Sequence, residues 1–187
     1  VVKAVDYLVQ LGHCHIAHLV GPEGRHSTTE RLRGYRQGLD QHGLEYREEY
    51  VHRADYEQDS TQWKNATRAL LECKPRPTAI IAANDKVAAI SISTAQATGL
   101  RVPEDINIVG IDNQPFCNYL NPTLTTVEMP ITDAGTLAIK MLLDRLDNES
   151  TTPEHIVLPC PLIIRESSGP VSTEATETCE NQLEPTP

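Results

Sequence analysis

Four short runs that read as strands, the first three each followed by a segment of helical period, constrain this chain more than any other feature. The sharpest is the stretch 106–113, Ile-Asn-Ile-Val-Gly-Ile-Asp-Asn, which is β-branched and almost wholly apolar until it stops at two polar side chains. A run this short, bounded by turn signals, fits a strand buried on both faces. His15 to Val20, Glu49 to Ala54 and Thr78 to Ala83 read as three further strands, the second of them weaker. Helices are expected over Val1 to Leu11, from Ser27-Thr28-Thr29-Glu30 (which contains N-cap chemistry) to about His42, from about Gln58 to Leu71, and from Asn84-Asp85 to about Thr98. Gly12, Gly43 and Gly99 supply stops. Alternation with short connections argues for right-handed crossovers, and so for an α/β fold with a parallel sheet and helices on both faces.

The rhythm breaks at Pro122-Thr123-Leu124-Thr125-Thr126-Val127. Another helix is expected from about Ile131 to Leu146, then two short strands near His155–Leu158 and Leu162–Ile164. Residues 1–166 make one domain on this reading. Residues 167–187 are expected to be a disordered acidic tail: it has Glu174, Glu177, Glu180 and Glu184, no Lys or Arg, and too little apolar surface to offset ordering entropy.

In parallel α/β sheets, ligands sit beyond the carboxyl ends of the strands. After the first strand come Arg25, His26, Ser27 and, one turn on, Arg31. After the second come Asp55 and Tyr56, after the third Asn84 and Asp85, and after the fourth Asp112 and Asn113. Guanidinium, amide, carboxylate and phenol together suit a ligand with many hydroxyls. The same residues have plainer readings: Asn84-Asp85 as a helix cap, Arg31 as a solvated helix residue, Tyr56 as edge packing. Asp112 resists one, because a carboxylate at the end of a buried strand needs a partner or a ligand.

Other chemistries find less support. The net charge of -10 disfavours nucleic-acid binding by this chain itself. Gly21-Pro22-Glu23-Gly24 lacks the spacing and the Lys-Ser/Thr ending of a phosphate loop, and no cofactor is expected. His13, His15 and His18 have no carboxylate or cysteine completing a shell, so no metal is expected either. No nucleophile–base pair can be singled out, and an enzyme is not expected. The five scattered cysteines include no Cys-x-x-Cys pair, which argues against a disulfide framework and makes a reducing cytoplasm the simplest location. No apolar run approaches membrane-spanning length. Val1 already looks like the inside of a helix, so the chain is expected to begin within a longer protein.

Several motifs together resemble the effector-binding domain of LacI/GalR-type transcriptional regulators. They are Leu11-Gly12-His13 with Ile16-Ala17-His18-Leu19, Gly21-Pro22, Arg31-Leu32-Arg33-Gly34-Tyr35, Pro77-Thr78-Ala79-Ile80 and Ala83-Asn84-Asp85. The series continues with Gly99 to Ile106, Val109-Gly110-Ile111-Asp112-Asn113, Pro122 to Val127 and Leu162 to Ser167. The resemblance runs from about Val1 to Gly169 and fails over the tail. It implies a periplasmic-binding-protein-like fold of two lobes with an effector cleft between them, of which this chain is mainly the C-terminal lobe. A crossing to the other lobe would fall near Leu124–Val127, with the helix from Ile131 packing there. In the family, the matching Arg and Asp hold the effector; these fall on Arg31 and Asp112. The matching Asn and aromatic fall on Asn84 and Tyr56, and Arg25 and Ser27 sit where a variable loop adds contacts. The implied partners are a sugar-like small-molecule effector, operator DNA through a helix-turn-helix lying before Val1, and a second copy in a homodimer, with no membrane. The competing reading is a sugar-binding protein of a transport system. Alone, the chain is expected to self-associate through apolar surface meant for the other lobe.

Overall fold

The computed structural model describes residues 1–55, 60–147 and 154–172. In chain order the elements are α1 (Val2–Gln10), β1 (Ile16–Val20), α2 (His26–Gln41), β2 (Val51–Arg53), α3 (Ser60–Glu72), β3 (Ala79–Ile81) and α4 (Asp85–Ala97). They continue with β4 (Asn107–Asp112), β5 (Thr125–Glu128), α5 (Ile131–Asp147) and β6 (Leu162–Ile163). These strands form one sheet in the order β2-β1-β3-β4-β5-β6. The first five are parallel, and β6 returns antiparallel against β5.

Period-2 side-chain alternation sorts the core into two layers. Ile16, Val20, Ala79, Ile81, Val109 and Ile111 pack with Val5 and Leu8 of α1 and Leu32 and Leu39 of α2. Ala17, Leu19, Ile80, Ile106 and Ile108 pack on the opposite face with Trp63 and Leu70 of α3 and Val87 and Ile92 of α4. Both faces of the central strands are therefore buried, as continuous apolar runs require. Helices α1 and α2 approach closely because Gly38 has no side chain: a Cβ there would lie 2.8 Å from Val5 Cβ.

The expected strands and helices form, with corrections. Helix α2 starts at His26 with Arg25 as a cap that makes no side-chain cap bond, so the Ser27–Thr29 hydroxyls sit inside the first turn. The second strand shrinks to Val51–Arg53 behind a 3-10 turn over Glu48–Tyr50. The stretch 155–158 is not a strand. Where the rhythm breaks, Thr125–Glu128 is a fifth parallel strand hydrogen-bonded to β4. Three proline bonds in these connections are cis, after Lys74, Val102 and Asn121.

The disordered tail expected from Ser167 is corrected for residues 167–172; residues 173–187 lie outside the described residues. Ser167 and Ser168 are buried. Ser167 Oγ donates to Ile108 O at 2.6 Å and accepts from Thr125 N–H at 2.9 Å. Gly169 N–H reaches Asn107 Oδ1, and Val171 N–H reaches Leu11 O at 3.0 Å. Small polar groups that satisfy buried backbone can order a segment with little apolar surface, which composition does not register. Cys73, Cys117 and Cys160 are free thiols.

Candidate functional site at the carboxyl rim of the sheet

The chain runs outward from β1 to β2, then returns across β1 to β3 and onward, so the sheet reverses direction between β1 and β3. At such a point the helices leave to opposite faces and open a crevice beyond the strand ends, the usual ligand position in this architecture. Arg31 spans it. One turn beyond Ser27 in α2, its Nη1 donates to the carbonyl of Ala83 past the end of β3. Its Nη2 lies 3.5 Å from Asp112 Oδ1 at the end of β4. The two side chains remain 20% and 26% exposed, so the pair is braced by the protein yet open to a ligand.

Asp112 and Asn113 carry left-handed backbone, with φ of 122° and 54°. The second is a conformation Asn adopts readily; the first is costly for any residue with a Cβ, on the order of 1–3 kcal/mol. Strain of this kind persists only where the surroundings over-determine it. Here they do. Asn113 Nδ2 donates to Glu128 Oε1 at 3.3 Å, while Asn113 Oδ1 accepts from Arg165 Nη2 at 2.8 Å. Arg165 also donates to Leu124 O and to Asn118 Oδ1. Burial pushes the Asp112 carboxyl above its ordinary range and the nearby Asp85 adds to this, against the opposing pull of Arg31.

The other expected site residues divide. Asn84 is the N-cap of α4, its Oδ1 accepting from Val87 N–H at 2.9 Å, so the plainer reading of this residue is observed. Arg25 and Ser27 are exposed at the cap and first turn of α2. Tyr56 lies outside the described residues. The three histidines are held by protein groups: His13 by Thr78 Oγ1 and Gly169 O, His15 by the Tyr50 hydroxyl, and His18 by Ile81 O. Among the described residues, no group of three or more His, Cys, Asp or Glu could hold a metal ion. Sequence reasoning missed Glu128 and Arg165. Both reach Asn113 across long sequence separations, which no local spacing reveals, although Arg165 stands in one of the quoted motifs.

Residues 5–168 match the family model described as a periplasmic binding protein-like domain. The transcriptional regulator CelR of Thermobifida fusca is 36% identical over 165 residues, covering 88% of this chain and 48% of CelR. The repressor CytR of Escherichia coli is 34% identical over 165 residues, with the same shares. Among solved structures, a CelR–cellobiose complex superposes with a TM-score of 0.79 at 34% identity, covering 88% of this chain and 50% of that one. A LacI-family regulatory protein from Chloroflexus aggregans gives 0.83 at 34% identity, with shares of 90% and 60%. The chain spans about half the length of the curated relatives it matches. It belongs to the periplasmic binding protein-like domain family, in the LacI-type form carried by these transcriptional regulators.

Proposed function

We propose that this chain is the ligand-sensing part of a LacI-type transcriptional regulator, and that its effector is a sugar or sugar derivative bound at the carboxyl rim. The observation that carries the reading is the Arg31 guanidinium held over the end of β3 beside the partly exposed Asp112 carboxylate. A fixed donor fork next to an acceptor-only group matches the paired hydroxyls of a sugar. Because the Asn84 carbonyl oxygen is spent on its helix, Asn84 would serve a ligand only as a donor through Nδ2. Arg25 and Ser27, exposed at the start of α2, complete the proposed rim. The relatives support the wider reading: they are named as helix-turn-helix-type transcriptional regulators and repressors, and one was solved with cellobiose. The protein would act as a dimer on operator DNA in the cytoplasm through segments other than this acidic chain, and would bind its effector without turnover. Binding would favour one closure state of the two lobes, which needs a difference in affinity between the states. Calorimetric titration of the full-length protein against a panel of sugars, cellobiose included, and purine bases tests this. Saturable binding of a sugar is expected; tight purine binding with no sugar bound would overturn it.

A further inference from the structure

We infer that Asp85 is the positioning residue of the site: its buried carboxylate fixes the left-handed turn that aims Asp112 at the rim. Asp85 is only 1% exposed and cannot itself meet a ligand in bulk solvent. Its Oδ2 accepts from Gln114 N–H at 2.7 Å, the amide directly after the strained pair Asp112–Asn113. Its Oδ1 accepts from the Thr126 hydroxyl at 2.5 Å, and the same hydroxyl faces Asn113 N–H at 3.4 Å. The carboxylate therefore ties the start of α4 to both the β4 turn and β5.

The space for it is made by Gly110. A Cβ at that position would collide with Asp85 Oδ1 and lie 3.0 Å from Leu124 Cδ2. The glycine in the middle of β4 is thus explained by the carboxylate lying across it. The buried Cys117 thiol packs on the same carboxylate; burial, then its hydrogen bond and charge contact with Asp85, push it up to about 12. A residue in the first turn of α4 could simply complement the helix dipole, but that role needs neither the bond to Gln114 nor the missing Cβ.

The inference rests on reading Asp112 as the effector-holding carboxylate; the arms that can overturn it use no effector, and sugar binding enters only to separate the two readings. The full-length protein, selectively labelled at aspartate and asparagine, is followed by NMR. Three-bond couplings report φ at residues 112 and 113, and the carboxyl carbon reports the titration of Asp112, which faces Arg31, Asp85 and Glu128. Asp85→Asn is expected to keep the turn, with its oxygen toward Gln114 N–H and its amide toward Thr126 Oγ1. It should also move the Asp112 titration to lower pH, since a negative neighbour is gone. Asp85→Ala, and Gly110→Ala with Asp85 intact, are both expected to lose the left-handed couplings in a folded spectrum. Unchanged couplings in Gly110→Ala, or an unmoved Asp112 titration in Asp85→Asn, would overturn the inference even if Asp85→Ala does not fold. A released turn with undiminished sugar binding would leave Asp85 as the positioning group and refute the role of Asp112.

Discussion

Helices α4 and α5 follow neighbouring parts of the same sheet and are built from similar apolar residues, yet they end in opposite situations. Helix α4 buries Val87, Ala88, Ser91, Ile92, Thr94 and Ala95 against α3 and the sheet. Helix α5 buries none of its residues and leaves Ile139, Leu142, Leu143 and Leu146 exposed at helical spacing. Amphipathic period shows that a face needs covering; it does not show what covers it. The difference also separates what holds the fold from what hangs on it. The β4 turn and its site lean on α2, α4 and the β5–β6 pair, and no contact described above between the site and its supports involves α5.

The same substitution made in both helices should split that comparison most widely. Ile92→Ala should lower the unfolding free energy of the chain by about 3 kcal/mol, a lost transfer contribution plus a cavity. Ile139→Ala should change it by less than about 0.5 kcal/mol, as at exposed sites. Urea unfolding reads both, and equal losses would break the distinction. Acid should next attack the packed body through β1. His18 is wholly buried, and burial lowers its pKa from 6.5 to about 4 against the opposing help of Ile81 O. The unfolded chain binds that proton first, so stability should fall as pH drops from about 6.5 to about 4, by on the order of 3 kcal/mol from this group. An imidazole resonance still neutral near pH 5 checks it; protonation near 6.5 in the folded protein would contradict it. Smaller still, Asn84→Ala should remove the α4 cap at a cost of about 1 kcal/mol, seen as a lower melting temperature.

Much of this was legible in the sequence, for physical reasons particular to each element. Strands β1, β3 and β4 are buried on both faces, so their apolar runs had no other reading, and alternation with helices dictated parallel pairing. Residues 125–128 do not announce a strand in the sequence, since Thr125 and Thr126 are polar; the structure buries them by bonding Thr125 Oγ1 to Arg165 O and Thr126 Oγ1 to Asp85. Ser167 escaped for the same reason. Arg31 and Asp112 were found because each follows a strand end, where position alone nominates a residue. In the sequence Asp85 reads as a rim residue or as half of a cap motif and not as a buried positioning group, since its partners Gln114 and Thr126 lie 29 and 41 positions away.

Asp112 is the residue on which the proposed site depends most. Once a sugar that binds the full-length protein is in hand, its affinity should be measured by calorimetry in wild type and in Asp112→Ala, with melting curves alongside. Loss of an acceptor for paired hydroxyls should weaken binding at least about tenfold, roughly 1.4 kcal/mol, while the protein stays folded. Unchanged sugar affinity in folded Asp112→Ala protein would contradict the placement of the site at this rim.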